Sequence, residues 1–367
     1  MTGPAACRRP CASSGNRKRV PVLKIGSLQL ESLAMLAPMA GVCDSPFKRV
    51  VRHFDTKSLL STEIVNSDAL LVGNREMLER IRLHPEESPA ALQIAGHAPE
   101  PLARAAEIAQ EAGADLIDIN CGCPSPQLVK SGNGAALMKD PTRVAALYSA
   151  VRKVTRVPMT VKMRLGWDVD ALTVFEIAKI AQECGADAVW IHGRTAVQQY
   201  SGTADWDLIG EVKRTLRIPV IGNGDIFTPE DAKERMARSG VDAVAMGRGA
   251  MGNPWIFRRV DHYLRTGELL TEPTLAERIA TARLQCQYLI EEIGERRGVL
   301  ECRKHVAWYT KGLPDTADLK RAVNASQSAQ EVYDALARYL SAQPNPEALP
   351  DAANVGKLVD AKWQRYQ

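Results

Sequence analysis

The stretch Asp118-Ile119-Asn120-Cys121-Gly122-Cys123-Pro124 sets two thiols one residue apart, after an apolar run and before a glycine-rich segment. Two cysteines so placed can ligate a metal, close a disulfide, pack, or supply a proton. The 367 residues hold eight cysteines but no CxxC pair, and no second Cys/His pair follows at zinc-finger spacing, so no metal site is expected. Scattered cysteines in a long chain suit reduced thiols in the cytoplasm, the expected location. Other reactive side chains sit in similar apolar runs: Gln93, Asn120, Lys162, Arg164, His192 and Arg194. A lysine inside such a run is hard to dismiss as packing, because a buried ammonium needs a partner. A lone histidine or glutamine says little, and Gly222, Gly224 and Gly252 taken singly read as turn residues.

Those runs form a regular series. Short β-branched segments at 33–39, 58–63, 90–96, 116–122, 158–164, 188–194, 219–225 and 243–249 read as strands, with amphipathic helical patterns between them. The phrases EAGAD, ECGAD and RSGVD precede the fourth, sixth and eighth, each with a glycine suited to end a helix in the left-handed conformation. Thr228, Pro229 and Glu230 supply an N-cap, a first-turn proline and an acidic first turn. Eight such units predict a TIM (β/α)8 barrel, an α/β fold. An open doubly wound sheet is the alternative, but the glycine fingerprint after its first strand is missing.

Beyond about residue 258 the pattern turns wholly helical. The expected organisation is a basic tail at 1–20, a barrel at 21–258, a small helical bundle at 259–341 and a tail at 342–367. The first tail has no apolar core of the kind a secretory signal carries; an organelle transit peptide, a disordered tail and an upstream start all fit its composition. It holds five basic residues and no acid in a chain of net charge +4, so the remainder sums to −1. Any RNA contact must therefore come from local patches. Residues 278–321 hold nine basic and six acidic side chains, a modest excess that a solvated helix face would also show. No apolar run is long enough for a membrane span.

In a TIM barrel the reacting groups lie at the C-terminal ends of the strands. There the sequence places Pro38-Met39-Ala40, Gln93, Asn120 with Cys123, Lys162 with Arg164, His192 with Arg194, Asn223-Gly224-Asp225, and Gly247-Arg248-Gly249. Loops after the seventh and eighth strands commonly hold a phosphate on backbone N–H groups. With Lys162 to neutralise an electron-rich ring and Gln93 to meet a ring edge, the ligand expected is flavin mononucleotide (FMN).

The motifs LAPMAGVCDSPFK, LQIAG, DINCGCPSP, VKMRLGW, WIHGRT, YSGTADW, IGNGDI and MGRGAMGNPWIF, in this order over 33–258, resemble the tRNA-dihydrouridine synthases. CRKHVAWYTKGLP resembles the helical tRNA-binding domain of their bacterial B-type members. The resemblance implies an FMN-dependent enzyme that reduces a uridine of the tRNA D-loop with NADPH as reductant, without metal, and a monomer is the expectation. It places FMN against Pro38, Met39, Ala40, Gln93, Lys162, His192, Asn223, Gly224, Asp225, Gly247 and Arg248. It makes Cys123 the catalytic acid and sets Asn120 and Arg194 near the target nucleotide. Cys121 departs from the pattern, as does Gly-His97-Ala-Pro-Glu, where His97 inherits no role. A small-molecule FMN reductase of the dihydroorotate kind and a flavin-free RNA-binding barrel remain the rival readings.

Overall fold

The computed structural model describes residues 22–349; the basic tail expected at 1–20 and the chain after 349 lie outside them. Eleven strands occur there: β1 Leu23–Ile25, β2 Leu28–Leu30, β3 Ala34–Leu36, β4 Leu60–Ser61, β5 Val65–Asn66, β6 Ala90–Ala95, β7 Leu116–Cys121, β8 Met159–Arg164, β9 Ala188–His192, β10 Val220–Asn223 and β11 Ala243–Met246. β3, β4 and β6 to β11 pair in parallel with their neighbours, and β11 returns to β3. That closes an eight-stranded barrel with helices outside, the TIM barrel expected, each strand falling within its predicted run. β5 continues β4 along β6, but the register slips by one residue between Ser61↔Ala91 and Val65↔Ile94. The extra residue makes a bulge at the barrel mouth, where bulges often re-aim side chains.

Strand alternation sorts the chemistry from the packing. On β7, Asp118 and Asn120 hydrogen-bond to side chains of β6 and β8 inside the barrel. Ile117, Ile119 and Cys121 instead join the core between strands and outer helices. The floor of the barrel is apolar, with Met35, Leu59, Ala91, Leu116, Trp190 and Ile221 in one cluster. The β1–β2 hairpin, which the sequence pattern did not announce, adds Leu23, Ile25 and Leu30 to that cluster and plugs the N-terminal end.

The repeated Gly-x-Asp phrases do more than end helices. Gly113, Gly185 and Gly240 have φ of 93°, 85° and 71°, the left-handed region that favours glycine. The aspartate two residues on then accepts a backbone N–H from the start of the preceding strand. Asp115 takes Ala90 N at 2.8 Å, Asp187 takes Met159 N at 2.9 Å and Asp242 takes Val220 N at 2.7 Å. Three strand pairs are thus locked in register at the end opposite the mouth.

The last barrel helix runs Ile256–Thr266 and ends at Gly267. The helices Leu275–Ile293, Glu295–Tyr309, Thr316–Ala325 and Ala329–Ser341 follow with a separate core. Residues 342–349 turn back, and Pro346 and Ala348 carbonyls accept from Ala276 N and Leu275 N at the start of the first of them. The helical unit is fixed to the barrel through Trp255, whose ring lies 5.1 Å from Phe54 and 6.2 Å from Tyr309. It is also fixed at Gly252, where φ is 64° and an added Cβ would come within 2.5 Å of the Trp308 backbone. Gly252→Ala should therefore lower unfolding stability by roughly 1–3 kcal/mol, through overpacking and backbone strain. Urea unfolding checks this; an unchanged midpoint would show that the two units do not meet there.

Candidate active site

At the C-terminal mouth of the barrel lies a cleft of about 890 Å³, counting its open side. Pro38, Met39 and Ala40 form one wall, Asn120 and Cys123 another, and Lys162 and His192 come from β8 and β9. Asn223, Gly224 and Asp225 face Gly247 and Arg248 at the far end. Arg164, Tyr200, Ile64 and Phe227 complete the lining.

Beneath the cleft lies a chain of hydrogen bonds in which every donor points towards one carboxylate. Gln93 Nε2 donates to Asp118 Oδ2 at 2.6 Å, and Thr160 Oγ1 donates to Asp118 Oδ1 at 2.7 Å. Trp190 Nε1 donates to Thr160 Oγ1 at 3.2 Å. On the other side Asn120 Nδ2 donates to Gln93 Oε1 at 2.8 Å. Asn120 Oδ1 then accepts the backbone N–H groups of Gly122, at 3.3 Å, and Cys123, at 3.1 Å. The Cys123 carbonyl accepts from Ala135 N at 2.9 Å. Gly134 has φ of 59°, and a Cβ there would lie 2.6 Å from that carbonyl, which explains the glycine in this loop.

The far end of the cleft is cationic. Asp225 sits at φ 52°, an unusual conformation for a non-glycine residue, and is held on several sides. Its carboxylate accepts from Arg194 at 2.7 Å, from Arg248 at 2.8 Å and from Ala204 N at 2.7 Å. Gly224 has φ of 129°, and a Cβ there would strike Ala204 at 2.6 Å and crowd His192. Lys162 Nζ donates to Asn223 Oδ1 at 3.3 Å, and Asn223 Nδ2 donates to the Ala245 carbonyl at 2.8 Å. Arg164 donates to the carbonyls of Thr195 and Gln199, which brings Tyr200 over the cleft. The Tyr200 ring stands 5.5 Å from the Arg164 guanidinium and 5.3 Å from that of Arg248.

Burial dominates the titration of these groups. It lowers Lys162 to about 8, helped by the Arg164 charge and opposed by Asp118. It lifts Asp118 to about 6, against hydrogen bonds from Thr160 and Gln93 and the Lys162 charge, so the carboxylate is ionised at neutral pH. It drives His192 well below its usual range, with Arg164 and Lys162 adding to the effect, so that ring is neutral. The Cys123 thiol is raised by burial, which outweighs a backbone hydrogen bond at Ser125 and the pull of Arg164 and Lys162. Cys121 is pushed up to about 12 by burial, against a hydrogen bond with Tyr148. Both cysteines are free thiols, one in the cleft and one in the outer core.

Of the residues expected at the mouth, Pro38, Met39, Ala40, Asn120, Cys123, Lys162, His192, Asn223, Gly224, Asp225, Gly247, Arg248 and Gly249 all line the cleft. Gln93 does not: it is fully buried beneath Asn120 and engaged by Asp118. Arg194, expected near the target nucleotide, is 1% exposed and lies behind the cleft. It donates to Asp225 and to the carbonyls of Ser201 and Gly202. Arg164, expected at the mouth beside Lys162, does line the cleft: two residues after Lys162 on β8, it shares the inward face. Tyr200 and the bulge residue Ile64 had no signal in the sequence, since loop path and register slip place them. His97 lies 3.6 Å from Asp68 and does not line the cleft. Among the described residues no cluster of His, Cys, Asp and Glu is arranged to hold a metal, and no helix is long and apolar enough to cross a membrane.

The barrel mouth joins a cationic end, a lysine and a protonated thiol, an arrangement able to attract an anion. Solved structures with this fold include histamine dehydrogenase from Rhizobium sp. 4-9, at TM-score 0.52 and 13% identity over 73% of this chain and 50% of that one. A variant of NCR from Zymomonas mobilis gives TM-score 0.50 at 16% identity, over 68% of this chain and 92% of that one. In sequence, the family described as Dihydrouridine synthase (Dus) matches residues 35–344. A tRNA-dihydrouridine synthase B of Xanthomonas campestris pv. campestris is 42% identical over 308 residues, 84% of this chain and 92% of its own length. A probable tRNA-dihydrouridine synthase of Rickettsia conorii is 40% identical over 319 residues, 87% of this chain and 96% of its own length. The chain belongs to the dihydrouridine synthase family and is a flavin-dependent oxidoreductase.

The two thiols should separate in chemical labelling. With iodoacetamide, Cys123 should react slowly at pH 7 and about tenfold faster per pH unit until its raised pKa is passed, because the thiolate is the nucleophile. Cys121 should stay unlabelled while the protein is folded. Peptide mapping by mass spectrometry resolves the two sites; rapid labelling of Cys123 at pH 7 would contradict the assignment of a protonated thiol.

Proposed function

We propose that this protein is a tRNA-dihydrouridine synthase that reduces the C5–C6 bond of a D-loop uridine, using FMN and NADPH. The observation that carries the reading is the placing of a protonated thiol, Cys123, and of Lys162, Arg164 and Arg248 around one cleft. The residues fit an FMN. Arg248, with the glycine-bearing loops 223–225 and 247–249, suits a phosphate. Pro38, Met39 and Ala40 supply an apolar wall for a ring, and Lys162 supplies charge beside it.

When bound, reduced FMN supplies a hydride for C6 of the uracil, with NADPH as the source of reducing equivalents. The chain's own residues do the rest. Cys123 gives its proton to C5, which balances the addition across the double bond, and the thiolate left behind is reprotonated by solvent. Arg164 and Lys162 favour the negative charge that develops on the ring carbonyl, and neutral His192 adds a hydrogen bond without another charge. The base must leave its stack to enter the cleft. Arg194 supports this indirectly, by holding Asp225 and the 201–202 loop.

The RNA backbone is assigned to the helical unit. The cleft between barrel and helical unit is lined by six basic and six acidic residues, so it offers no net attraction for phosphate. A groove between Glu295–Tyr309 and Thr316–Ala325 is lined by Arg303, Lys304, Lys320 and Asn324 without an acid. Arg278, by contrast, is buried and donates to the Tyr309 and Lys311 carbonyls, so it is no phosphate ligand. Purified protein given FMN, NADPH and unmodified tRNA should form dihydrouridine in the D-loop. Activity on free pyrimidines with none on tRNA would favour a small-molecule reductase. Lys320→Glu should weaken tRNA binding and reduce the slope of log Kd against log salt by about 1, with flavin retained. An unchanged slope would move the RNA to another face.

A further inference from the structure

We propose that Asp118 is a positioning residue for Cys123, acting at a distance through Gln93 and Asn120. A primary amide has one acceptor end and one donor end, and rotation by half a turn exchanges them. Nothing in the shape of Gln93 or Asn120 selects either orientation. The selection comes from the two ends of the chain: the Gly122 and Cys123 N–H groups, which can only donate, and Asp118, which when ionised can only accept. It takes Gln93 Nε2 at 2.6 Å, which turns Gln93 Oε1 towards Asn120. That oxygen takes Asn120 Nδ2 at 2.8 Å, which turns Asn120 Oδ1 towards the loop. There it receives the N–H groups of both Gly122 and Cys123. Reverse either amide and two donors face each other at some point in the chain. The carboxylate is 1% exposed and Gln93 is fully buried, so no solvent is at hand to satisfy a reversed Gln93 amide. Thr160, with Trp190 behind it, fills the second oxygen of Asp118, and Lys162 is the charged side chain that faces it.

Asp118 does not line the cleft and reaches no reacting atom. What it controls is the path of the Gly122–Cys123 backbone, and hence where the thiol stands. The kinetic consequence rests on Cys123 being the proton donor; the structural one does not.

Asp118→Leu removes the acceptor while keeping similar bulk. Replacing a buried charge by an apolar side chain is often tolerated by the fold. The Cys123 amide should then exchange with deuterated solvent at least about tenfold faster. The kcat on tRNA should fall on the order of 100-fold, with KM for tRNA within about twofold. Asp118→Asn should recover most of both losses, because its carbonyl can face Gln93 while its NH2 group meets the Thr160 hydroxyl. Gln93→Met, which cuts the same relay in the middle, should match Asp118→Leu, and the double variant should be no worse than either. It also serves if Asp118→Leu does not fold. Unchanged exchange at Cys123 in the single variants overturns the proposal, as does an additive double variant. Accelerated exchange with undiminished kcat would keep the positioning role and overturn Cys123 as the acid.

Discussion

A carboxylate buried inside a barrel is costly unless it collects donors, and Asp118 collects two directly and others in series. Because every bond in that chain runs towards one acceptor, the order of donors and acceptors is fixed from Trp190 on β9 to the Cys123 amide beyond β7. A single reversed amide would leave buried donors unpaired at about 1–3 kcal/mol each. That is enough to hold one arrangement against its alternatives. The barrel's alternation makes this network available: Gln93, Asp118 and Thr160 are mutual register partners on β6, β7 and β8. The Asp115, Asp187 and Asp242 contacts at the opposite end keep that register fixed.

Charge and burial oppose each other at the mouth, and the balance decides the chemistry. Lys162 and Arg164 would favour a thiolate at Cys123, but burial outweighs them and the proton stays on sulfur. The same burial keeps His192 neutral among Lys162, Arg164, Arg194 and Arg248. The cations thus stand beside a thiol that keeps its proton. Asp225 tempers the cationic end by holding Arg194 and Arg248 together, and its φ of 52° persists because three donors fix the carboxylate.

Periodicity and turn chemistry made the barrel legible. The eight apolar runs were the eight strands, and the Gly-x-Asp phrases marked helix ends, though the register-locking role of their aspartates shows only in three dimensions. The mouth was legible because a TIM barrel fixes which end of each strand bears chemistry, and most of the expected residues line it. Gln93 and Arg194 lie behind the cleft lining for a shared reason: sequence puts a residue near the mouth but cannot say whether it faces the cleft or the layer beneath. Tyr200 and Ile64 were invisible because a loop held by Arg164 and a one-residue register slip bring them in. The β1–β2 hairpin, at three residues per strand, was too short for periodicity to reveal.

Reduction of the uridine, as proposed, requires that Cys123 deliver the proton. The direct measurement is an anaerobic single turnover: flavin in the purified enzyme is reduced with NADPH, unmodified tRNA is added, and reoxidation is followed by flavin absorbance. In the unaltered protein and in Cys121→Ala, reoxidation should be fast and match dihydrouridine formed one for one. In Cys123→Ala, reduction by NADPH should be normal and reoxidation by tRNA slower by about 100-fold or more, the scale of a lost general acid. Equal reoxidation rates in Cys123→Ala and the unaltered protein would contradict the central claim.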